Sequence, residues 1–416
     1  MKSWKEYRLK EIAYFPPTVK LNRGHEYSFI KMEDITVGKR FVFPEEQRKY
    51  ENSSCSKFIN NDILFARITP CLENGKIAQA KLNQSNKGFG STEFFIFRGK
   101  KDILDQSFLF YLAKSDLIWK SAVNSMVGAS GRQRADAGFL GNLIFKIPPL
   151  PIQRKIAAIL SAYDDLIENN NRRIAILEKM AEEIYREWFV RLRFPGHEKV
   201  KIVKGVPEGW EVKKIGEVIK FEKGKNPDVL YDEKINESDI YLNVDAIENR
   251  NYQYAPIQKG ITCEKSETLM LMDGARSSVV FNGHQGIVSS TFAVIRTDKK
   301  LCSIVHEYLK ANLDAMVSNN TGSAIPHANK EFIIRMCIKL PIKRNLIDAF
   351  NNQYQVIFTE KQILKRKISL FTTSRDRLLS RLMSGKIDVE KLDIKFPASM
   401  LDSNGVEEKE EAMAHV

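Results

Sequence analysis

The chain repeats itself, and that duplication constrains its fold more than any other feature. Trp4-Lys-Glu-Tyr-Arg-Leu-Lys-Glu-Ile12 has a counterpart in Trp210-Glu-Val-Lys-Lys-Ile-Gly-Glu-Val218. Phe65-Ala-Arg67 is echoed by Gly274-Ala-Arg276, and Ser91-Thr92 before Phe94 by Ser290-Thr291 before Phe292. Phe110-Tyr-Leu112 matches Glu307-Tyr-Leu309, and Phe139 through Pro148 matches Phe332 through Pro341. The offset falls from 206 at the opening match to 193 at the closing one, as two copies of one module with unequal loops require. Any single match is within reach of chance. Five in the same order are not.

Each copy is followed by the same kind of segment. Pro148-Pro-Leu-Pro151 closes the first and Leu340-Pro341 the second, and proline restricts both itself and its predecessor, so these are natural strand-to-helix boundaries. From Gln153 to about Phe189 there is no Pro or Gly, and apolar residues recur in sevens through Ile156, Tyr163, Ile167, Leu177, Ile184 and Trp188, with Leu166 and Met180 beside them. From Lys343 to about Met383 the stripe runs through Phe350, Ile357, Leu364, Phe371 and Leu378, with Val356, Ile363 and Leu370 alongside, and a C-cap is expected at Gly385. Roughly 36 residues at about 1.5 Å each span about 54 Å, longer than a small domain is wide. Two such stripes are best satisfied by antiparallel packing on each other, with one module near each end.

Within the modules the pattern is mixed. Asp62–Phe65, Glu93–Phe97, Leu269–Met272 and Phe292–Ile295 read as strands, and Gln106–Ser121 and Ile304–Val317 have helical spacing. Gly88-Phe-Gly90, Gly128–Gly131, Gly283–Gly286 and Thr321-Gly-Ser323 read as turns. The fold class expected is α+β: two similar mixed α/β domains separated by two long antiparallel, coiled-coil-like helices in pseudo-twofold arrangement. The segments are 1–147, a helical spacer 148–197, 198–340, a second spacer 341–396, and a disordered acidic tail 397–416.

Composition narrows the function. Net charge is +13, with 23 Lys and Arg against 15 acids over 1–145, and 12 against 6 over 341–396. The tail opposes them with one Lys against five acids. A basic body favours polyanions, since each neutralised phosphate releases counterions. No run of about 18 apolar residues exists, so no membrane span is expected, and Met1–Lys10 lacks the apolar core of a secretory signal. Five scattered cysteines offer neither metal-site spacing nor a disulfide framework, which suits a reducing cytoplasm.

Catalytic machinery is not legible. Gly38-Lys39, Gly75-Lys76 and Gly385-Lys386 lack the Ser or Thr that completes a phosphate-binding loop. Phe15-Pro-Pro-Thr18 and Asn226-Pro-Asp228 are not the Asn/Asp-Pro-Pro-aromatic loop of an amino-methyltransferase. Asp228, Asp232 and Glu233 are the best nuclease candidates, but they share one short polar stretch without a strand to converge them. The six histidines show neither ligand nor triad spacing, so no catalytic or metal residue is assigned. What remains suits bases and phosphates: Arg67, Lys76, Ser130, Arg132, Gln133 and Arg134 in the first module, and Arg276, His284, Gln285, Ser323, His327 and Asn329 in the second. Arg is matched to guanine edges, Gln and Asn to adenine. Any one of these residues is more often a cap or a solvated side chain; their place in corresponding loops of a duplicated basic module raises them.

Phe145-Lys-Ile-Pro-Pro-Leu-Pro-Ile-Gln-Arg-Lys-Ile156, Trp188-Phe189 with Arg193-Phe-Pro-Gly196, Val206-Pro-Glu-Gly-Trp-Glu211 and Leu378-Leu-Ser-Arg-Leu-Met-Ser-Gly-Lys-Ile387 follow an order that resembles the specificity subunit of type I restriction–modification systems. Asn61-Asp-Ile-Leu-Phe-Ala-Arg67 and Glu73-Asn-Gly-Lys76 resemble its recognition-domain signature, which Asp273-Gly-Ala-Arg276 follows less fully. The resemblance covers about residues 4–390. It implies a non-catalytic subunit that binds a two-part double-stranded DNA sequence, one part per recognition domain. It also implies docking of two methyltransferase subunits, which carry S-adenosylmethionine, and of restriction subunits using ATP and magnesium, with no cofactor on this chain. An autonomous metal-dependent nuclease and a coiled-coil protein scaffold are the alternatives.

Overall fold

A computed structural model describes residues 4–400 apart from 52–53, 83–84, 130, 249–251 and 259. The chain forms two compact units, unit 1 comprising Met1–Asn171 with Arg366–Val416 and unit 2 comprising Arg172–Lys365.

In unit 1 the strands are, in chain order, β1 (Lys5–Arg8), β2 (Ala13–Tyr14), β3 (Glu26–Ile30), β4 (Phe41–Val42), β5 (Glu46–Lys49), β6 (Ser56–Ile59), β7 (Ile63–Ala66), β8 (Ile77–Ala80), β9 (Lys87–Gly90), β10 (Phe94–Gly99) and β11 (Ile144–Ile147). One sheet has the order β5-β3-β9-β6, a second β2-β10-β7-β8-β4, and β1 pairs with β11. Helices α1 (Leu9–Ile12), α2 (Gln106–Lys114), α3 (Trp119–Asn124) and α4 (Ala137–Asn142) precede a long helix, α5 (Leu150–Tyr185).

Unit 2 opens with a short hairpin of β12 (Ile202–Val203) and β13 (Val206–Pro207). It continues with β14 (Trp210–Lys214), β15 (Lys220–Lys223), β16 (Ser238–Leu242), β17 (Tyr254–Pro256), β18 (Thr262–Cys263), β19 (Thr268–Leu271), β20 (Val280–Phe281), β21 (Gly286–Val288), β22 (Phe292–Arg296) and β23 (Cys337–Pro341). Its sheets are β17-β16-β21-β18, β15-β22-β19-β20 and β14-β23. These repeat the strand orders of unit 1, less the edge strand β4, down to the one parallel pair in the first sheet: β3 with β9, and β16 with β21. Helices α6 (Val244–Ile247), α7 (Cys302–Ala311), α8 (Leu313–Ser318) and α9 (Lys330–Arg335) lead to a second long helix, α10 (Arg344–Met383).

The four expected strands are present within a residue or two, and both long helices are present. Pro151 sits in the first turn of α5, where a missing N–H costs nothing, and Gly385, at φ +70°, follows the end of α10 as the C-cap reading requires. The two medium helices are each broken. Ser115 caps α2, its Oγ donating to Leu112 O at 2.6 Å, and Asn312, whose Nδ2 donates to Tyr308 O at 2.8 Å, separates α7 from α8. The turn expected at Gly88-Phe-Gly90 is instead strand β9. A Cβ on Gly90 would lie 2.2 Å from Ile30 O, and one on Gly88 2.7 Å from the Phe58 ring, so these glycines serve close strand approach rather than a bend. Gly286 plays the same part in β21, its Cβ position 2.1 Å from Ile240 O.

Two further expectations need correction. Arg276 does not occupy the place of Arg67: pairing of β7 with β10 and of β19 with β22 sets Ala66 against Phe94 and Leu271 against Phe292, so Met272 is the residue equivalent to Arg67. The shared Ala-Arg pair falls at a different register. The tail does not leave the body at Pro397, because Met400 is buried in the unit 1 core beside Leu382 and Val389; residues 401–416 lie outside the described residues.

Each half of each long helix belongs to the core it covers. In unit 1, Ile156, Ala157 and Leu160 of α5 and Leu382 of α10 join Phe65, Phe97, Phe108 and Tyr111. In unit 2, Trp188 and Phe189, on a π-helical turn after α5, join Phe350, Tyr354 and Ile357 of α10 and Trp210. The helices also touch one another within each unit. Tyr163 meets Phe371 in unit 1, while Trp188 meets Phe350 in unit 2. Ile156, Phe350, Ile357 and Leu364 are buried, and Tyr163, Ile167, Leu177, Ile184, Phe371 and Leu378 half-buried. Leu166, Met180, Val356, Ile363 and Leu370 are exposed, so the covered stripe is narrower than the heptad pattern alone suggests. Among the described residues no helix is long and apolar enough to cross a membrane.

Candidate nucleic-acid interface

Three loops of unit 1 converge where β7 ends. Arg67 N donates to Glu93 O, Ala135 N to Arg67 O, and Thr69 N to Gln133 O. Arg134 and Val127 exchange backbone hydrogen bonds at 2.9 and 3.0 Å. Residue 134 therefore sits on a backbone platform pinned from both sides, directly before α4, whose N-cap is Asp136. Unit 2 repeats the platform bond for bond. Met272 N donates to Thr291 O, Ala328 N to Met272 O, Gly274 N to Pro326 O, and His327 and Thr321 exchange bonds at 2.7 and 2.9 Å. His327 is thus the equivalent of Arg134.

The side chains on the two platforms differ. Arg134 donates from Nε to both Glu93 oxygens (3.1 and 2.9 Å) and from Nη2 to Oε1 (2.6 Å). That bonding holds the Glu93 carboxyl below the usual carboxylate range and raises Arg134. The Arg67 guanidinium lies 4.6 Å from the Phe95 ring centroid, and its Nε is buried without a hydrogen-bond partner among the described residues. On the second platform His327 Nδ1 lies 2.7 Å from Asp273 Oδ1, and Lys223 Nζ lies 3.4 Å from Oδ2. An open hollow of about 540 Å³ borders this group, lined in part by Lys223, Asp273, Thr321, His327 and Lys330.

The sequence-predicted residues divide accordingly. Arg67, Gln133 and Arg134 are brought together, and Arg132 is exposed on the same loop; Ser130 lies outside the described residues. Lys76 is committed elsewhere, its Nζ donating to Met32 O at 2.7 Å. Ser323 and His327 share the second loop and are exposed. Asn329 is the N-cap of α9, accepting from Phe332 N at 3.0 Å, so its amide oxygen already has a structural task. Arg276 forms an ion pair with Glu248. The loop bearing His284 and the exposed Gln285 packs on α10, with Gly283 against Gln362, and burial beside Lys365 and Lys361 pushes His284 down to about 4. Asp228, Asp232 and Glu233 are all exposed, and among the described residues no three His, Cys, Asp or Glu side chains gather as a cation site. Sequence reasoning missed Glu93, Asp273 and Lys223 as site members: the partners are 41 to 54 residues apart, and no local signal links them.

A family model described as "Type I restriction modification DNA specificity domain" matches residues 1–179 and again 207–365. The chain belongs to that family. The MjaIX specificity subunit of Methanocaldococcus jannaschii is 25% identical over 93% of this chain and 89% of its own length. The EcoAI specificity subunit of Escherichia coli is 30% identical over 35% of this chain and 23% of its own. The solved S subunit from M. genitalium has a TM-score of 0.51 at 16% identity, covering 91% of this chain and 96% of that one, a likeness of fold. Family membership bears out the reading of a specificity subunit without its own catalytic centre, and the nuclease alternative finds no support.

Proposed function

We propose that the chain reads a bipartite sequence in double-stranded DNA, one part through each platform. The observation that carries this reading is the pair of equivalent, rigid backbone platforms bearing unlike polar side chains: Arg134 with Arg67 in one unit, His327 with Asp273 and Lys223 in the other. A common scaffold with different reading groups suits two different half-sites, since rigid supports place side chains against base edges. Arg132 and Gln133, and Ser323 opposite them, extend the two contact surfaces. Of the remaining candidates, Lys76, Arg276 and Asn329 act on DNA only after giving up or supplementing the roles described above, while His284 and the exposed Gln285 sit on the loop packed against α10.

In this reading α5 and α10 pack antiparallel as a spacer, in a pseudo-twofold arrangement. A spacer of about 54 Å accommodates half-sites one DNA turn (about 34–36 Å) apart. Its outer surfaces dock two methyltransferase subunits, with restriction subunits joining the same complex. S-adenosylmethionine, ATP and Mg²⁺ are then bound by those partners rather than by this chain. Free cysteines throughout the described residues accord with a cytoplasmic setting.

The test is to map methylated adenines genome-wide with and without this chain, its partner subunits present in both cases. Methylation confined to one two-part motif and dependent on the chain supports the reading. Methylation indifferent to the chain, or binding to partner proteins unaffected by DNA, favours the scaffold alternative.

A further inference from the structure

The acid that holds Arg134 comes from outside every loop singled out by sequence. Glu93 stands immediately before β10, and its carboxylate takes the Nε and Nη2 edge of the guanidinium. A guanidinium has five N–H donors in a planar fork, so this grip leaves the Nη1 and outer Nη2 hydrogens. Nη1 makes no hydrogen bond among the described residues. The Arg134 side chain is 43% exposed and Glu93 22%, so the pair lies at the surface, where the unbonded end of the fork can be reached by a ligand. The backbone beneath is pinned at Val127, and the neighbouring bonds from Thr69 and to Arg67 O leave residue 134 little freedom to tilt. Arg67, stacked on Phe95, adds a second positive charge near Glu93.

We propose that Glu93 is a positioning residue for sequence readout by unit 1: by occupying one edge of Arg134 it turns the Nη1/Nη2 end outward as a two-pronged donor for the O6 and N7 acceptors of a guanine. The proposal rests on the DNA-reading function above. Unit 2 lacks this device. Thr291 stands at the place of Glu93, and His327 is held by an acid of the other platform strand, Asp273. An imidazole presents one ring nitrogen rather than a fork, so the two half-sites are read by different chemistry.

The experiment uses the full chain in complex with its methyltransferase subunits. Methylation rates are measured on duplexes in which each base pair of the recognised motif is replaced in turn, alongside affinity for unrelated DNA. R134A and H327A mark which half each unit reads. E93A is expected to relax discrimination at a single guanine position of the Arg134 half by roughly 5- to 150-fold, the range of one bidentate base contact. The other half, and binding to unrelated DNA, stay as in the unmodified complex, and E93Q, which still offers an acceptor oxygen, restores part of the loss. The inference is overturned if E93A leaves base discrimination intact, or if it weakens both half-sites alike with unrelated DNA, the mark of a merely structural ion pair. If E93A does not fold, E93Q and R134K supply the same comparison, each expected to lose discrimination at that one position. A complex of unmodified chain showing no sequence preference at all sinks the DNA-reading function itself, a result distinct from these.

Discussion

His306 lies inside unit 2 with Nδ1 3.1 Å from Thr268 Oγ1, and burial, reinforced by Lys361, Lys310 and Lys365, pushes its pKa down to about 3. A histidine depressed in the folded state contributes stability that is present above its unfolded value of about 6.5 and is lost as pH falls toward the folded one. Glu307 beside it works the other way: burial raises it to about 6, so its carboxylate penalises the fold above that pH and relieves it on protonation. His284, lowered to about 4, adds to the histidine side. With two histidines against one carboxyl, unit 2 is expected to lose stability between pH 6.5 and 4. Denaturant midpoints across that range check this, and H306Q should flatten the profile; an unchanged slope would show that His306 does not control it. None of these shifts is visible in sequence, because the burial comes from the packing of α7 and of the His284 loop on α10.

Between elements, Asp164 Oδ1 of α5 lies 2.6 Å from Arg375 Nη1 of α10, both side chains 6% exposed. Tyr111 Oη donates to Asp164 Oδ2 at 2.6 Å, tying α2 to the same carboxylate. Removing one partner strands a buried charge, and D164A is expected to cost about 3–5 kcal/mol in a denaturation experiment. The double variant D164L/R375M should recover most of that, since a well-packed apolar pair avoids the desolvation penalty. At the sheets, G90A forces a methyl group onto Ile30 O and is expected to lower the melting temperature, costing about 1–3 kcal/mol. The apolar recurrence made both long helices legible, though the stripe they bury is narrower than that recurrence suggests. The strand role of Gly88 and Gly90 was not, because a glycine admitted for close approach reads in sequence like one admitted for a turn.

For the molecule as a whole, the matching sheet orders of the two units support the proposal that each reads its own half of the DNA target. Replacing residues 1–147 by another module of the family is expected to change one half of the methylated motif and leave the other. Adding one helical turn to both α5, near Asn170, and α10, near Lys365, should alter the number of base pairs between the halves without altering either, read from methylation maps. An unchanged interval would remove the helices as the spacer. With a net charge of +13, affinity of the assembled complex should fall steeply and log-linearly with salt.

By itself the sequence determined the twofold duplication, the two long helices and the lack of a legible catalytic constellation, because periodicity, proline boundaries and ordered repeats are local properties of a chain. Tertiary structure alone decided which residue of one module corresponds to which in the other. Strand pairing put Met272, not Arg276, in the place of Arg67, and paired loops put His327 in the place of Arg134. It alone also brought the acids, Glu93 and Asp273, against those side chains. Hydrogen bonding between loops far apart in sequence leaves no periodic trace, since it depends on where the backbone brings them.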